Sequence, residues 1–416
     1  MYIEREIAGK FRKVNGIYPI IAVVGARQSG KTTFLRERMK GMNASYLLFD
    51  DPDVRQIFDE DVKKFENQYI SGHDVSVLDE VQYAEKPGQK LKYLADNNRR
   101  LWITSSSEVM LGKEVLSYLV GRVSIIRLYP FSIQEFLALK GQKELTPQIL
   151  NRLTGEHIRY GGYPKAAAAE NAELKTIILR DLYDTMILKD VANTFSINDM
   201  KSLENFARYL SVNIGSIISY GSISGSLGIS FQTVKKYLDA MEKSYLIARV
   251  QPFYRNKSKE LTKQPKVYFI DTGLRNVIAN DLEGEPGGKL FENYVFSELT
   301  KIGFTPKYWR TKSKAEVDFM VEKGNEIIPV EVKLDAGNRI EKSLRSFIQS
   351  YKPKRALVVS YKVQKAGEAG KGSKAAAGGT EGKAGGASKS VVDGCAVHFT
   401  DILGMRNMLM DKLPKI

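Results

Sequence analysis

The feature that most constrains this 416-residue chain is a glycine-bounded loop between a short apolar run and a helical pattern. Residues 20–24 read IIAVV, residues 25–32 read GARQSGKT, and the helical pattern TTFLRERM begins at Thr32. Glycines let consecutive backbone N–H groups converge on phosphates, the lysine reaches the terminal phosphates, and the hydroxyl can hold magnesium. The order of strand, loop and helix therefore predicts an ATP site on a parallel α/β sheet.

The predicted ATP-binding residues form the whole loop and the start of its helix: Gly25, Ala26, Arg27, Gln28, Ser29, Gly30, Lys31, Thr32 and Thr33. An acidic strand matches this loop, since VSVLDE at residues 75–80 ends an apolar run with two carboxylates. We expect Asp79 to hold Mg²⁺ together with Thr32. We expect Lys31 to act on the terminal phosphates and Glu80 to orient the attacking water, which favours hydrolysis over binding alone.

Two further catalytic candidates follow the acidic strand. The apolar run 101–104 ends in Ser105, Ser106 and Ser107, any of which could sense the γ-phosphate, and Ser106 is taken as the sensor. Arg122 could contact phosphate, either within its own chain or across a subunit interface; an ordinary surface arginine is the alternative.

Composition and charge suggest a polyanionic partner. The formal net charge is +15 and the pI about 9.4, which favours DNA, although solvated surface lysines would give the same balance. Cys395 is the single cysteine, so an intramolecular disulfide is excluded and a reducing compartment is expected. The longest apolar run, residues 17–26, is far shorter than the roughly 20 residues of a membrane span, so we expect a cytoplasmic protein without a membrane partner.

A helix-turn-helix is predicted around Gly228–Ser230, with the second helix at Phe231–Ser244. Phe231, Val234, Leu238, Met241 and Tyr245 would form its buried face. The residues expected to contact DNA are Gln232, Thr233, Lys235 and Lys236 on this helix, and Arg255, Lys257 and Lys259 on a wing between strands at 247–253 and 266–270. A structural lid without DNA contacts is the alternative.

The segment EVDFMVEKGNEIIPVEVK at residues 316–333 predicts a β-hairpin with Gly324 and Asn325 in its turn. In a symmetric hairpin, Asp318 lies directly across from Glu331, and Lys333 shares the face of Glu331. Two opposed carboxylates call for a divalent cation or a shared proton, so Asp318 and Glu331 are predicted metal ligands. Glu292 borders an apolar helix face, where it fits this metal site or pairs with Lys333. A hairpin with outward charges is the alternative.

Several motifs occur in the order of a known family. GARQSGKTTFL is followed by DDPDVR at residues 50–55, LDEVQ at 78–82, GR at 121–122 and PFSIQEF at 130–136. The chain resembles a large prokaryotic family of AAA-type ATPases with a C-terminal domain of unknown function that has a restriction-endonuclease-like fold. The resemblance implies a middle winged-helix domain and a PD-(D/E)XK nuclease-like end. It also implies that Glu292, Asp318, Glu331 and Lys333 match the motif of such phosphodiesterases, with Mg²⁺ or Mn²⁺ as the metal.

The expected fold class is therefore α/β: a P-loop AAA-type parallel sheet, a helical and winged-helix region, and a restriction-endonuclease-like α/β domain. The expected boundaries are 1–140 for the ATPase core, 141–213 for a helical lid or connector, 214–275 for the winged helix and 285–416 for the nuclease-like domain. Residues 364–390, rich in Gly, Ala and Lys, are predicted to be a flexible insert in this last domain.

Three functional hypotheses follow. The leading one is an ATP-hydrolysing AAA protein that associates with DNA, forms homo-oligomers and carries a nuclease-like domain that contacts or cuts nucleic acid. The rival is an ATP-dependent switch or scaffold whose winged-helix and nuclease-like domains make protein contacts without cleavage. The third is a metal-dependent nuclease in which ATP binding acts only as a gate.

Overall fold

The computed structural model describes residues 2–106, 113–142, 144–256, 260, 263–335, 339–362 and 388–410. The strands are β1 Ile20–Val24, β2 Ala44–Leu48, β3 Val75–Asp79, β4 Leu101–Ser105, β5 Val123–Arg127, β6 Ile247–Val250, β7 Lys266–Phe269, β8 Lys307–Arg310, β9 Glu316–Lys323, β10 Glu326–Lys333, β11 Arg355–Ser360, β12 Ser388–Val392 and β13 Cys395–Thr400.

The helices, in chain order, are α1 Ala8–Val14, α2 Lys31–Met39, α3 Pro52–Glu60, α4 Val62–Phe65, α5 Pro87–Asp96, α6 Lys113–Tyr118, α7 Ile133–Lys140, α8 Pro147–Tyr160, α9 Pro164–Ala168, α10 Ala172–Thr185, α11 Met200–Val212, α12 Tyr220–Leu227, α13 Phe231–Lys243, α14 Thr272–Ala279, α15 Gly288–Lys301, α16 Lys342–Tyr351 and α17 Ile402–Met410. Short π-helices occupy Glu66–Ile70 and Met186–Asn193, and a 3₁₀ turn occupies Val81–Tyr83.

The first sheet has the strand order β2-β3-β4-β1-β5, and all neighbouring strands are parallel. Every residue of β1, β3 and β4 is buried, as expected for central strands covered on both faces. The apolar runs of the sequence predict these three strands to within one residue, but the sequence does not predict β5, which pairs with β1 at the sheet edge. The carboxyl ends of β1, β3 and β4 lie at one edge of the sheet, where their loops can meet.

A helical region follows this sheet and begins at a complete capping box. The Ser132 hydroxyl accepts the Glu135 N–H, and the Glu135 carboxylate accepts the Ser132 N–H, which fixes the start of α7. Helix α10 then continues into the π-helix Met186–Asn193. The second half of the region contains α11, α12 and α13, followed by the two-stranded sheet of β6 and β7.

The predicted buried face of α13 is mostly confirmed, since Val234, Leu238, Met241 and Tyr245 are all at most 4% exposed. Phe231 is the exception, because it is 50% exposed and packs against the Tyr220 ring at a centroid distance of 5.5 Å. It stands at the first residue of the helix, where an apolar side chain has no preceding turn to cover it.

The end of α8 and the start of α14 approach so closely that only glycine fits at two positions. Gly161 ends α8 with φ +69°, and a Cβ there would lie 1.9 Å from Oδ1 of Asp271, which caps α14. A Cβ on Gly273 would lie 2.1 Å from the carbonyl carbon of Tyr160. This contact fixes the two helix ends against each other.

The C-terminal sheet has the order β12-β13-β11-β10-β9-β8. Its centre is parallel, through β13, β11 and β10, and its flanks are antiparallel. The predicted insert 364–390 lies outside the described residues except for 388–390, which correct the expectation because they begin strand β12. Cys395 is buried in the core of this sheet.

The chain forms two compact units, each assembled from three separate stretches. Unit 1 comprises residues 1–131, 162–204 and 232–247, and unit 2 comprises 132–161, 205–231 and 248–416. A cluster that includes Phe11, Phe34 and Trp102 forms a core of unit 1, and one that includes Trp309 and Phe347 forms a core of unit 2.

The predicted fold class is confirmed as α/β, with an N-terminal parallel sheet, a helical middle region and a C-terminal mixed sheet. Within the described part of the chain, no helix has the combination of length and apolarity that a membrane crossing requires.

Candidate nucleotide site and carboxylate cluster

The glycine-bounded loop connects β1 to α2 at the carboxyl edge of the first sheet. A Cβ on Gly25 would lie 2.0 Å from the Leu128 carbonyl oxygen, so only glycine allows the loop to leave β1 along this path. Gly30 adopts φ +101° and precedes the first residue of α2, which directs the free N–H groups of that helix toward the loop. The Ser29 hydroxyl is buried and has no hydrogen-bond partner among the described residues.

Other loop positions differ in exposure. Ala26 is buried, whereas Gln28, at φ +58°, and Thr33 are exposed. The nucleotide contacts expected of these three residues stay a prediction.

Lys31 points back into this loop. Its ammonium group donates to the carbonyl oxygens of Gly25 at 3.0 Å and Ala26 at 3.2 Å, and it lies 3.7 Å from a Glu80 carboxylate oxygen. Burial lowers the pKa of Lys31, and the carboxylates of Glu80 and Asp190 oppose that shift. A buried cation is thus held beside a glycine loop, where a polyphosphate would gain from its charge.

Asp79 ends β3 and is 1% exposed. Its Oδ2 accepts the Thr32 hydroxyl at 2.7 Å and also the Tyr46 hydroxyl, while its Oδ1 accepts the Thr104 hydroxyl. The predicted pair of Thr32 and Asp79 is therefore brought together. A hydroxyl and a carboxylate are hard oxygen donors, and this set fits Mg²⁺.

Glu80 follows in a left-handed conformation with φ +57°, which is unusual for a residue other than glycine. Its N–H donates to the Thr104 hydroxyl at 2.8 Å, and its carboxylate accepts from Nε2 of Gln82. The same Nε2 lies 3.1 Å from the Ser106 hydroxyl. Such a backbone outlier, held by surrounding hydrogen bonds, is typical of a functional position.

Of the three consecutive serines at the end of β4, Ser105 is the last residue of the strand, Ser106 lies within this network, and Ser107 lies outside the described residues. Ser106 is buried, and its hydroxyl is 3.4 Å from Oδ1 of Asp190. Asp190 also binds Arg27 of the loop, at 3.0 Å and 3.1 Å.

The expectation that Arg122 contacts phosphate within its own chain is wrong. The Arg122 carbonyl oxygen accepts the N–H of Ile20, the first residue of β1, so Arg122 lies at the sheet edge opposite the loop. Its guanidinium pairs with Asp96 at 2.6 Å. A contact across a subunit interface stays a prediction.

The predicted hairpin in unit 2 has the expected register. β9 and β10 are antiparallel, Glu326 pairs with Lys323 and Val330 with Phe319, and Gly324 turns with φ +57°. Continuing this register places Asp318 across from Glu331.

Asp318 and Glu331 are poorly neutralised carboxylates. Oδ2 of Asp318 accepts the Val332 N–H at 2.8 Å, while burial and then the charges of Glu292 and Glu331 raise the pKa of Asp318 well above its usual value. Burial likewise raises the pKa of Glu331 to about 7 despite Lys333 at 3.0 Å. Oε2 of Glu331 is buried and has no hydrogen-bond partner among the described residues.

Glu292 pairs with Lys266 and Lys289 rather than with Lys333, which corrects the expected pairing. Oε1 of Glu292 accepts from Lys266 at 3.2 Å and from the Tyr268 hydroxyl at 2.5 Å, and Oε2 accepts from Lys289 at 2.7 Å. Burial would raise the pKa of Glu292, but these two ammonium groups outweigh it and lower the pKa. Lys333 instead pairs with Glu331 and with Glu341 at 2.8 Å.

The described residues contain no group of three or more His, Cys, Asp or Glu side chains arranged to hold a metal ion. Among these described residues, the three carboxylates of Glu292, Asp318 and Glu331 therefore do not form such a group, and a shared metal ion stays a prediction. The remaining candidates for the nuclease-like site are Asp318, Glu331 and Lys333.

The residues expected to contact DNA differ in their surroundings. Gln232, Lys235 and Lys236 are exposed on α13, although Lys236 donates to the Ser196 carbonyl oxygen at 2.9 Å, and Thr233 is half-buried. Arg255 lies 5.0 Å from the Tyr351 ring and donates to the Ser350 carbonyl oxygen at 3.3 Å. Lys257 and Lys259 lie outside the described residues.

Sequence reasoning missed several residues of these sites. Tyr46 and Thr104 bind Asp79 from the strands on either side of β3, so the strand order would have identified them. Burial and the Asp79 contact raise the pKa of Tyr46, which keeps its hydroxyl as a donor. Lys266 and Asp190 belong to no motif, and nothing in the local sequence marks them.

Three family models match the chain: the AAA domain over residues 18–137, a domain of unknown function (DUF8612) over 151–283, and a second domain of unknown function (DUF4143) over 287–375. An uncharacterized protein of Haemophilus influenzae is 28% identical over 334 residues, which cover 76% of this chain and 82% of that protein. One of Methanocaldococcus jannaschii is 26% identical over 365 residues, covering 83% and 81%. The solved Walker-type ATPase of Pyrococcus abyssi is 12% identical, with coverage of 67% and 96% and a TM-score of 0.46.

The AAA and DUF4143 matches confirm the resemblance inferred from the ordered motifs, because the AAA match contains the glycine loop and the acidic strand. The chain thus carries an N-terminal AAA domain and a C-terminal DUF4143 domain, and it has homologues in bacteria and archaea.

Proposed function

We propose that the AAA domain binds ATP with Mg²⁺ and hydrolyses it. The observation that carries this proposal is the contact of Thr32 with Asp79 at 2.7 Å, in a site that also holds Lys31 within 3.7 Å of Glu80. The loop amides and Lys31 would bind the phosphates, and Thr32 and Asp79 would hold the magnesium ion. Bound Mg²⁺ supplies Lewis-acid neutralisation of charge on the phosphates.

Glu80 is the residue proposed to orient the attacking water, and Ser106 is the one proposed to sense the γ-phosphate. Glu80 already accepts a hydrogen bond from Gln82, which also contacts Ser106, so a change at the phosphate end can reach the carboxylate through one amide. This arrangement supports hydrolysis over ATP binding alone.

The test is Glu80→Gln, with Glu85→Gln as the matched control because Glu85 is exposed near the same strand end. Phosphate release by Glu80→Gln should fall by about 100-fold or more, the usual contribution of a general base, while ATP binding is retained. Glu85→Gln should turn over ATP at the parent rate. An unchanged rate in Glu80→Gln would show that another group positions the water.

The chain is further proposed to associate with DNA. The net charge of +15 and the exposed Gln232, Lys235 and Lys236 on α13 support this. The test is a gel shift with duplex and single-stranded DNA at several salt concentrations, using Lys235→Glu against Glu242→Lys as a variant of opposite charge change on the same helix. Lys235→Glu is expected to lower the affinity for DNA, and the affinity of the parent chain is expected to fall as the salt concentration rises. An affinity that changes with neither the substitution nor the salt concentration would favour the switch or scaffold.

A metal-dependent nuclease-like activity is proposed for the C-terminal domain, and it is favoured by Oε2 of Glu331, which lies beside Asp318 and has no hydrogen-bond partner among the described residues. A divalent cation, Mg²⁺ or Mn²⁺, would neutralise both carboxylates, and Lys333 would stabilise charge on the phosphate. The test is DNA cleavage with each metal by the parent chain and Asp318→Ala. Cleavage that persists in the variant comes from elsewhere, and a parent without cleavage favours the protein-contact role of this domain.

A further inference from the structure

We infer that Asp190 is a positioning residue that couples the nucleotide site to helix α13. The inference rests on the proposed ATP site, because it concerns how that site communicates with the rest of unit 1. Asp190 lies in the π-helix Met186–Asn193, within the matched domain of unknown function rather than within the AAA domain.

The carboxylate of Asp190 binds Arg27 of the glycine loop. Its two carboxylate oxygens accept from Nε of Arg27 at 3.0 Å and from Nη2 at 3.1 Å, so the pair is bidentate. The side chains of Arg27 and Asp190 are 20% and 5% exposed. A bidentate pair at this burial fixes both partners in one geometry more firmly than a surface ion pair does.

Asp190 also contacts the side chain proposed to sense the γ-phosphate. Its Oδ1 lies 3.4 Å from the Ser106 hydroxyl, which in turn receives the Gln82 amide at 3.1 Å. A serine hydroxyl has one hydrogen to donate. Ser106 therefore cannot donate to Asp190 and to a γ-phosphate oxygen at once, and engagement of the phosphate removes one contact of Asp190.

The backbone of the same residue holds α13. The carbonyl oxygen of Asp190 accepts the Ser244 hydroxyl at 2.7 Å, directly after the last residue of α13. Two residues on α13 bind the chain that follows the π-helix: Lys236 donates to the Ser196 carbonyl oxygen at 2.9 Å, and the Tyr237 hydroxyl to that of Asp199 at 3.4 Å. Asp190 thus contacts the phosphate-facing groups with its side chain and α13 with its backbone.

A π-helix suits this role because such segments are frequent at functional sites. A triphosphate and a diphosphate differ in their contact with Ser106, and a ligand shifts a conformational equilibrium only through such a difference. Exchange of ATP for ADP is therefore expected to alter the stability of residues 186–199 and of residues 232–247.

The experiment is amide hydrogen exchange on the full chain with the non-hydrolysable triphosphate AMP-PNP or with ADP, each with Mg²⁺. In the parent chain, residues 232–247 should exchange differently in the two nucleotides. Asp190→Asn should abolish most of that difference while AMP-PNP still binds. Asp181→Asn, an exposed aspartate on the preceding helix α10, should retain it.

The variant Ser244→Ala keeps the test decisive if Asp190→Asn does not fold, since it removes only the hydroxyl that binds the Asp190 carbonyl oxygen. It should show the same loss of the nucleotide-dependent difference. Retention of the difference in both variants would overturn the inference. A parent chain that fails to bind AMP-PNP would instead overturn the proposed ATP site, so the two failures are distinguishable.

Discussion

The Thr32 hydroxyl lies 2.7 Å from Oδ2 of Asp79, although 47 residues separate them along the chain. Parallel strand order explains the contact. β1 and β3 both pair with β4, so the loop after β1 and the carboxyl end of β3 open at the same edge. Two oxygen donors of the kind that Mg²⁺ prefers are thereby placed beside a glycine loop.

Removal of the Thr32 hydroxyl is expected to impair hydrolysis more than nucleotide binding. Thr32→Ala should lower kcat by about 100-fold, the usual size of effect when one group that stabilises the transition state is lost. Thr32→Ser should recover most of the rate, and Thr176→Ala, which alters a threonine on α10 whose hydroxyl donates to the Ala172 carbonyl oxygen, should leave it unchanged. Phosphate release measured across a magnesium titration checks all three, and equal rates in Thr32→Ala and Thr32→Ser would contradict the assigned role.

Glu331 is expected to make the protein less stable as the pH rises from about 4.5 to about 7. Because burial raises the folded-state pKa of Glu331, the folded state binds its proton more tightly than the unfolded state. The contribution is fully present below the unfolded pKa and is lost as the pH passes through the folded one. Its size is about 3 kcal/mol.

The measurement is the free energy of unfolding in urea at several pH values for the parent chain and Glu331→Gln. The variant should lack this part of the pH dependence. Glu322→Gln, an exposed position on the same hairpin, should retain it. Identical pH profiles for the parent chain and Glu331→Gln would show that Glu331 is not held in this state.

Glu292 is expected to contribute to stability through its ion pairs. Glu292→Gln leaves the Lys266 ammonium, 1% exposed, with one carboxylate partner fewer, and the free energy of unfolding should fall by about 3 kcal/mol. Glu283→Gln, at an exposed position, should change it by less than about 0.5 kcal/mol. Urea denaturation of both variants checks the difference, and a neutral Glu292→Gln would mean that its ion pairs contribute little.

A methyl group at Gly161 is expected to be poorly tolerated. Its φ of +69° and the 1.9 Å approach of Asp271 to the added Cβ predict that Gly161→Ala lowers the free energy of unfolding by about 3 kcal/mol or more. Gly221→Ala in α12 meets nothing within 4 Å and should be neutral or stabilising by up to about 1 kcal/mol. Thermal denaturation distinguishes them, and equal melting temperatures would show that α8 and α14 can separate at little cost.

Local patterns predict much of this molecule. The glycine loop, the acidic carboxyl end of β3 and the register of the β9–β10 hairpin each depend on a few consecutive residues, and each occurs as expected. The partners of Glu292 and Arg27 depend on side chains that are distant in sequence. Arg27 and Asp190 are 163 positions apart, and neither lies in a pattern that identifies the other. The position of Arg122 could not be predicted from local sequence either, because it depends on the direction of β5, which the sequence does not predict.

The division of unit 1 into three stretches has a consequence for synthesis. Residues 232–247 complete this unit. When the AAA domain has just emerged from the ribosome, Asp190 and the end of α13 are therefore not yet available to pack against it. Pairings across such a separation form slowly, since loop closure must precede them. The glycine loop should therefore acquire its final surroundings only after more than half of the protein has been translated.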